Sequence, residues 1–221
     1  MSVKIGKLVE TTGPAQVFDD VFNTQEQQHI EDIVRQLPWF INNNTVGYEN
    51  NFEKDDRTID SMQCVHKFFP GDSGGPNSNY METIREWVDI FGERTDNLYN
   101  ECLRAKANFQ PRWCESPDVY NPPHIDCKRP HHVFLYYANE SDGDTFIFDR
   151  RYGEEMKGDQ YNVIQRISPK RGRWVVFDGH YYHAGSHPRK YDKRLVLNFD
   201  VIKYQYDYPP MPIDVLDANM L

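Results

Sequence analysis

The sequence is short of everything that would tie it to a membrane, a secretory route or a disulfide scaffold. No apolar run approaches the roughly 18 residues that cross a bilayer, and the opening MSVKIGKLVETTG lacks the apolar core of a signal peptide. The expectation is a soluble, cytoplasmic protein. Cysteines number four, Cys64, Cys102, Cys114 and Cys127, with no CxxC pair. Their spacing fits neither a zinc ribbon nor a disulfide framework, so they read as reduced thiols. Asn43-Asn44-Thr45 and Asn139-Glu140-Ser141 match the glycosylation sequon, which an intracellular chain does not present to the machinery. Net basic charge is missing too: 25 Lys and Arg stand against 34 Asp and Glu, a net charge of −9. Gripping a nucleic-acid backbone takes cations that displace counterions, so nucleic acid is not an expected partner. Basic residues do bunch at Lys128/Arg129, Arg150/Arg151, Lys170/Arg171/Arg173 and Arg189/Lys190/Lys193/Arg194. They read as solvated hairpin ends, with a local basic groove left open.

What is present is length and aromatic side chains. At 221 residues the chain is expected to form one domain that buries roughly 70% of its unfolded surface. Such a fold needs no metal for stability, and any metal is expected to be catalytic. Aromatic residues make up 14% of the chain, too many for a disordered one. The 14 Pro and 13 Gly, set among short β-branched and aromatic runs, favour a turn-rich β protein over a helix bundle. No internal repeat or low-complexity tract interrupts it.

Along the chain, Val17–Phe22 reads as a strand. Thr24 and Gln27 are spaced as the N-cap and N3 residues of a capping box. The helix that follows carries Ile30, Ile33, Val34 and Leu37 and stops at Pro38. Trp39–Thr58 reads as loop with a short strand, Met62–Phe69 as a strand and Pro70–Pro76 as a loop. Ile84, Trp87, Val88, Phe91, Leu98 and Leu103 suggest one long helix, or two shorter ones, from Asn79 to about Lys106. Beyond Ala107 the helical period is gone. Strand-like runs follow at Asn108–Trp113, His124–Cys127, His131–Ala138, Thr145–Asp149, Tyr161–Ile167, Trp174–Phe177, Tyr181–Ala184 and Arg194–Ile202. That count suits a mainly β fold with some α: a double-stranded β-helix, jelly-roll and cupin-like, at 108–202. Residues 1–107 would form its N-terminal helical buttress, and 203–221 a Tyr- and Pro-rich tail.

His124-Ile125-Asp126 is the first feature with chemical content. On a strand, residues two apart share a face, so His124 and Asp126 can offer a nitrogen and an oxygen to one metal ion. Alone, the pair is better explained by a His–Asp hydrogen bond at a strand end. The far end of the sheet supplies His180, His183 and His187 as candidates for a third ligand, completing a two-His, one-carboxylate triad with open positions. If the chain reverses near Pro188-Arg189-Lys190, antiparallel pairing sets His183 opposite Arg194 and leaves His187 in the turn. His180 has the opposite strand parity to His183. A guanidinium inside a barrel is costly unless it meets an anion, so Arg194 suggests a bound carboxylate; pairing with Asp192 or Asp178 is the plainer alternative. Cys127 alternates away from the metal, and His131 and His132 read as strand-edge residues. Trp113, Tyr120 and Trp174 are candidates to line the barrel, Tyr120 best among them. No Ser-His-Asp or nucleophilic-Cys signature competes.

In order and spacing the sequence resembles the Fe(II)/2-oxoglutarate-dependent dioxygenases, in their prolyl-4-hydroxylase-like branch. The resemblance runs from about Asn108 to Val201. It rests on His124-x-Asp126, His132-Val133-Phe134-Leu135-Tyr136-Tyr137-Ala138-Asn139, Gly143-Asp144-Thr145-Phe146-Ile147-Phe148, Pro169 to Phe177, and His183 with Arg194. The resemblance implies Fe(II) held by His124, Asp126 and His183. It also implies 2-oxoglutarate held at its distal carboxylate by Arg194, with Tyr137 and Thr145 at the matching hydroxyl positions. Asn198 shares strand parity with Arg194 and is a candidate to line the pocket. Dioxygen would be the second co-substrate and ascorbate an accessory. The implied reaction hydroxylates a substrate C–H bond as 2-oxoglutarate is decarboxylated to succinate. Peptidyl proline is the branch's best-known substrate; small molecules stay open. Two departures stand out: Arg194-Leu195-Val196 lacks an Arg-x-Ser pattern, and Asp142-Gly143 stands where Gly-Gly is usual. A catalytically silent cupin-like binding protein, or a cupin metalloenzyme independent of 2-oxoglutarate, are the alternatives.

Overall fold

The structure is a computed structural model that describes residues 6–10, 12–45, 57–69, 78–113, 118–154 and 161–203. The Pro70–Pro76 loop, Cys114 and the tail from Tyr204 lie outside the described residues. The elements in order are β1 (Lys7–Glu10), β2 (Gln16–Asp19), α1 (Thr24–Arg35), β3 (Phe40–Asn42), β4 (Gln63–Phe69), α2 (Met81–Thr95), β5 (Tyr99–Pro111), β6 (His132–Tyr137), β7 (Thr145–Arg151), β8 (Val163–Ile167), β9 (Trp174–Asp178), β10 (Tyr181–Gly185) and β11 (Lys193–Lys203). They make an eight-stranded sheet ordered β1-β2-β9-β6-β11-β5-β4-β3 and a three-stranded sheet ordered β10-β7-β8. This is the jelly-roll expected from the strand count.

Strand alternation divides the large sheet into two faces. Ala105 and Ala107 of β5, Phe134 and Tyr136 of β6, Trp174 and Val176 of β9, and Leu195, Leu197 and Phe199 of β11 pack with Ile30 and Val34 of α1 and with Ile84, Trp87, Val88 and Phe91 of α2. Phe91 stacks on Trp174 with ring centroids 4.3 Å apart. Burying a side chain of this size stabilises by about 1.5–3 kcal/mol, so the apolar faces of the two helices add substantially to this core. The intervening residues Val133, Leu135, Tyr137, Val175, Phe177 and Val196 pack instead with Ile147 and Ile167 of the small sheet. The candidate site lies on this second face.

Local sequence chemistry explains the helix boundaries, with two differences from the expectation. The cap of α1 is Asn23 rather than Thr24: its side chain accepts from the backbone of Gln25 and Glu26 at 2.9 and 3.0 Å, and Glu26 returns the bond to the Asn23 N–H at 2.6 Å. Asn caps at least as well as Thr, and the box shifts by one residue. Gln27 donates instead to the Phe22 carbonyl. The helix expected to run toward Lys106 ends at Asp96, which turns left-handed at φ 60° and lets Asn97 N–H reach the Gly92 carbonyl. From Tyr99 the chain is strand. Leu103, Ala105 and Ala107 are buried at every second position, and Leu98, counted toward the helix, is exposed. Trp113 is likewise exposed and lines no barrel. Trp174 packs under α2, and Tyr120 is buried with Phe146 and Phe148.

Candidate active site

The site is assembled from both sheets and one irregular segment. His124 does not lie in a strand as expected; it forms a single antiparallel bridge with His183 of β10. His124 N–H donates to the His183 carbonyl at 3.0 Å and His183 N–H returns the bond at 2.9 Å, which sets the two imidazoles 4.9 Å apart. A bend then brings Asp126 round. Ligand atoms of His124, Asp126 and His183 all lie within 4.8 Å of one another. Asp126 Oδ2 is 3.2 Å from His183 Nε2, and Asp126 Oδ1 is 3.9 Å from His124 Nε2.

The donor set fits a divalent metal. Each histidine ties its Nδ1 to a backbone carbonyl, His124 to Pro122 at 3.0 Å and His183 to Tyr181 at 3.1 Å. That bond selects the tautomer with Nδ1–H and leaves the Nε2 lone pair facing the cluster. Burial, reinforced by His183, pushes the His124 imidazole down to about 4, so it is neutral at pH 7 as a ligand must be. Burial alone would raise the Asp126 carboxyl, but the adjacent Arg104 and Lys106 charges hold it well below the usual carboxylate range.

Arg194 is 4% exposed and lies along the same cleft. One Nη donates to Gln110 Oε1 at 2.6 Å, the other to Thr145 Oγ1 at 2.8 Å. Tyr137 donates to Thr145 at 2.6 Å, and its ring lies under the guanidinium. Neither Asp192 nor Asp178 is its partner: Asp192 pairs with Arg112 and Asp178 with Arg151. Gly143 and Gly185 make room for it, since a Cβ at either would come within 3.1 Å of its side chain. At the other end, Asn198 donates to Asp126 Oδ2 at 2.9 Å. His124, His183, Thr145, Arg194 and Asn198 line one narrow cleft of about 50 Å³. Tyr137 meets that cleft through Thr145.

The other two histidines fall elsewhere. His180 reaches the Lys128 carbonyl and packs edge-on against His131; His187 bonds the Pro111 carbonyl and Ser61. The hairpin expected to set His183 opposite Arg194 does not form. β10 pairs with β7, His183 facing Ile147, whereas Arg194 of β11 faces Gln110 of β5. The two residues come from different sheets and line the same cleft.

No family model matches the sequence, and no curated protein is similar to it in sequence. Solved structures are similar in fold. An oxidoreductase of the 2OG-Fe(II) oxygenase family from Burkholderia pseudomallei superposes with a TM-score of 0.58 at 15% identity, over 86% of this chain and 85% of that one. The two chains share a fold. The α-ketoglutarate-dependent non-heme epimerase SnoN of nogalamycin biosynthesis gives 0.57 at 10% identity, over 91% and 83% of the two chains. A prolyl hydroxylase from Trichoplax adhaerens, solved with a hypoxia-inducible-factor peptide fragment, gives 0.51 at 14%, over 86% and 84%.

Within this fold, β5 holds the residues that sequence reasoning missed. Arg104, Lys106, Asn108 and Gln110 alternate along the site face, directly opposite Asp200, Asn198, Val196 and Arg194 of β11. Arg104 bridges Asp126 and the fully buried Asp200, the latter at 2.7 Å, and Lys106 Nζ is 3.1 Å from Asp126 Oδ1. The alternation of polar residues with Ala105, Ala107 and Phe109 was the available signal, hidden where the helical period was extended too far.

Proposed function

We propose that the protein is an Fe(II)- and 2-oxoglutarate-dependent dioxygenase that hydroxylates a substrate C–H bond while 2-oxoglutarate becomes succinate. The observation that carries this reading is one cleft lined both by the two histidines of a two-histidine, one-carboxylate cluster and by a buried arginine. A silent binding protein has no use for the first, and a metalloenzyme independent of 2-oxoglutarate has none for the second. His124, Asp126 and His183 hold the metal, and iron(II) supplies the centre at which dioxygen and a keto acid react. Arg194 and Thr145 bind the distal carboxylate, with Tyr137 fixing the Thr145 hydroxyl. Gln110 keeps the guanidinium in place. Leu135 and Val196, which also line the cleft, exclude water from the reacting end. Asn198 orients Asp126 through Oδ2.

A cytoplasmic setting suits the free thiols of Cys64, Cys102 and Cys127. The substrate is a peptide, with proline the first residue to try, or a small molecule. No helix among the described residues is long and apolar enough to cross a membrane. The test is anaerobic addition of Fe(II) and 2-oxoglutarate, which should produce a weak visible charge-transfer band, followed by oxygen, ascorbate and a succinate assay. His183→Ala should lose the band and about a hundredfold or more of succinate formation. A protein that gives no band, or whose band survives both His183→Ala and Arg194→Ala, overturns the reading.

A further inference from the structure

On the oxygenase reading, the three metal ligands are not held in the same way. His183 belongs to β10, which pairs with β7, and His124 is tied to His183 by two backbone hydrogen bonds of 3.0 and 2.9 Å. Each imidazole is then oriented by its own Nδ1 bond to a carbonyl. Asp126 has no such frame. It lies at a bend outside every strand and bridge, so no ladder sets the direction of its carboxylate. With its side chain 1% exposed, that direction is left to the side chains packed around it.

Those side chains come from two paired strands. Arg104 and Lys106 of β5 meet Oδ1, Lys106 at 3.1 Å, and Asn198 of β11 donates to Oδ2 at 2.9 Å. Arg104 is held in turn by Asp200 Oδ2, 2.7 Å from its Nε. Asp200 sits directly opposite Arg104 on β11, a strand paired on both sides, with β5 and with β6. It is fully buried, which is costly for a carboxylate, and nothing in the proposed reaction uses it. Its contact with Arg104 gives it a purpose. If Asp126 were the only carboxylate partner of Arg104, the guanidinium would compete with the metal for it; Asp200 restrains that guanidinium from a fixed place in the sheet.

We infer that Asp200 is a positioning residue for the metal site, which acts through Arg104 to keep the Asp126 carboxylate directed at His124 and His183. This rests on the reading of His124, Asp126 and His183 as metal ligands and deepens it.

The experiment titrates the metal-free protein with Co(II) alone, without 2-oxoglutarate, and follows the visible absorption of the bound ion; urea unfolding without metal is measured on the same variants. Asp200→Asn should weaken Co(II) binding about 10- to 100-fold, the loss typical when the partner of a metal ligand is removed, and should alter the shape of the bound-ion spectrum. Arg104→Met combined with Asp200→Val removes one charge of each sign, so net charge around the metal is unchanged. This pair should weaken Co(II) binding by a similar factor while metal-free stability holds or rises, as it often does when apolar side chains replace a buried ion pair. Phe91→Ala, on the helix-covered face, should leave the Co(II) affinity of the folded protein unaltered. Native affinity in Asp200→Asn overturns the inference. A loss in Asp200→Asn with native affinity in the paired variant assigns the effect to charge alone and overturns it too. So does a loss that appears only where metal-free stability falls with it, since the role is then structural. In each of these outcomes the native protein still binds Co(II), and the oxygenase reading stands. A native protein that binds no Co(II) overturns both.

Discussion

The two faces of the eight-stranded sheet are made from alternate residues of the same strands, yet they solve different problems. On β5 and β11 the helix-covered face carries Ala105, Ala107, Leu195, Leu197 and Phe199, and the opposite face carries Arg104, Lys106, Gln110, Arg194, Asn198 and Asp200. The first face buries apolar surface and supplies stability. The second holds charged side chains out of water, an arrangement whose desolvation often outweighs the attraction between partners. One strand can do both because successive side chains point to opposite sides. The apolar face thus lets the polar face be arranged for chemistry.

That contrast can be broken most severely on the helix side. Phe91→Ala removes the ring stacked on Trp174 and should lower unfolding free energy by about 3–5 kcal/mol, measured by urea denaturation, while metal-dependent absorbance of the folded fraction is kept. Loss of the metal site with intact stability would refute the division of labour.

The next effect belongs to the site face and to pH. Because burial holds His124 down to about 4 in the folded protein, against about 6.5 when unfolded, the unfolded chain binds its proton more readily. The His124 contribution to stability of the metal-free protein is whole above pH 6.5 and is lost as pH drops from there to about 4, about 3 kcal/mol at most, and His132, which burial holds down to about 3, adds to the same slope. Urea midpoints between pH 4 and 7.5 should show this slope in the native protein and in Phe91→Ala alike, and a shallower one in His124→Gln. An unchanged slope in His124→Gln would assign it elsewhere.

Arg194→Met should raise the 2-oxoglutarate concentration needed for half-maximal succinate formation about 10- to 100-fold. Its stability should change little, since relief of desolvation offsets the lost bonds to Gln110 and Thr145. The smallest effect is expected at the helix entrance, where Asn23→Ala should destabilise by about 1 kcal/mol and leave the 2-oxoglutarate dependence unaltered.

Much of this organisation is legible in the chain because it is local. The apolar spacing of Ile30 and Val34, the stop at Pro38 and the short β-branched runs after Ala107 act over a few residues and read correctly as helix and strand. His124, Asp126, His183 and Arg194 could be singled out because their residue types and order carry chemistry. The pairing proposed to join His183 to Arg194 was not local, and it differs in the structure: β10 and β11 enter different sheets. Arg104 and Lys106 were missed for a related reason, since helical spacing through Phe91 reads onward into β5 until the left-handed Asp96 ends it.

The sequence by itself determined which residues carry metal-ligating and anion-binding chemistry, and that a mainly β fold would hold them, because residue chemistry and short-range periodicity are properties of the chain. Only the tertiary structure decided that His124 bridges His183, that Arg194 reaches Thr145 across the interior, and that Lys106 shares the Asp126 carboxylate. Those contacts join residues 49 positions apart for Arg194 and Thr145 and 20 apart for Lys106 and Asp126, and strand order, which sets such distances, depends on how whole faces are buried rather than on any one segment.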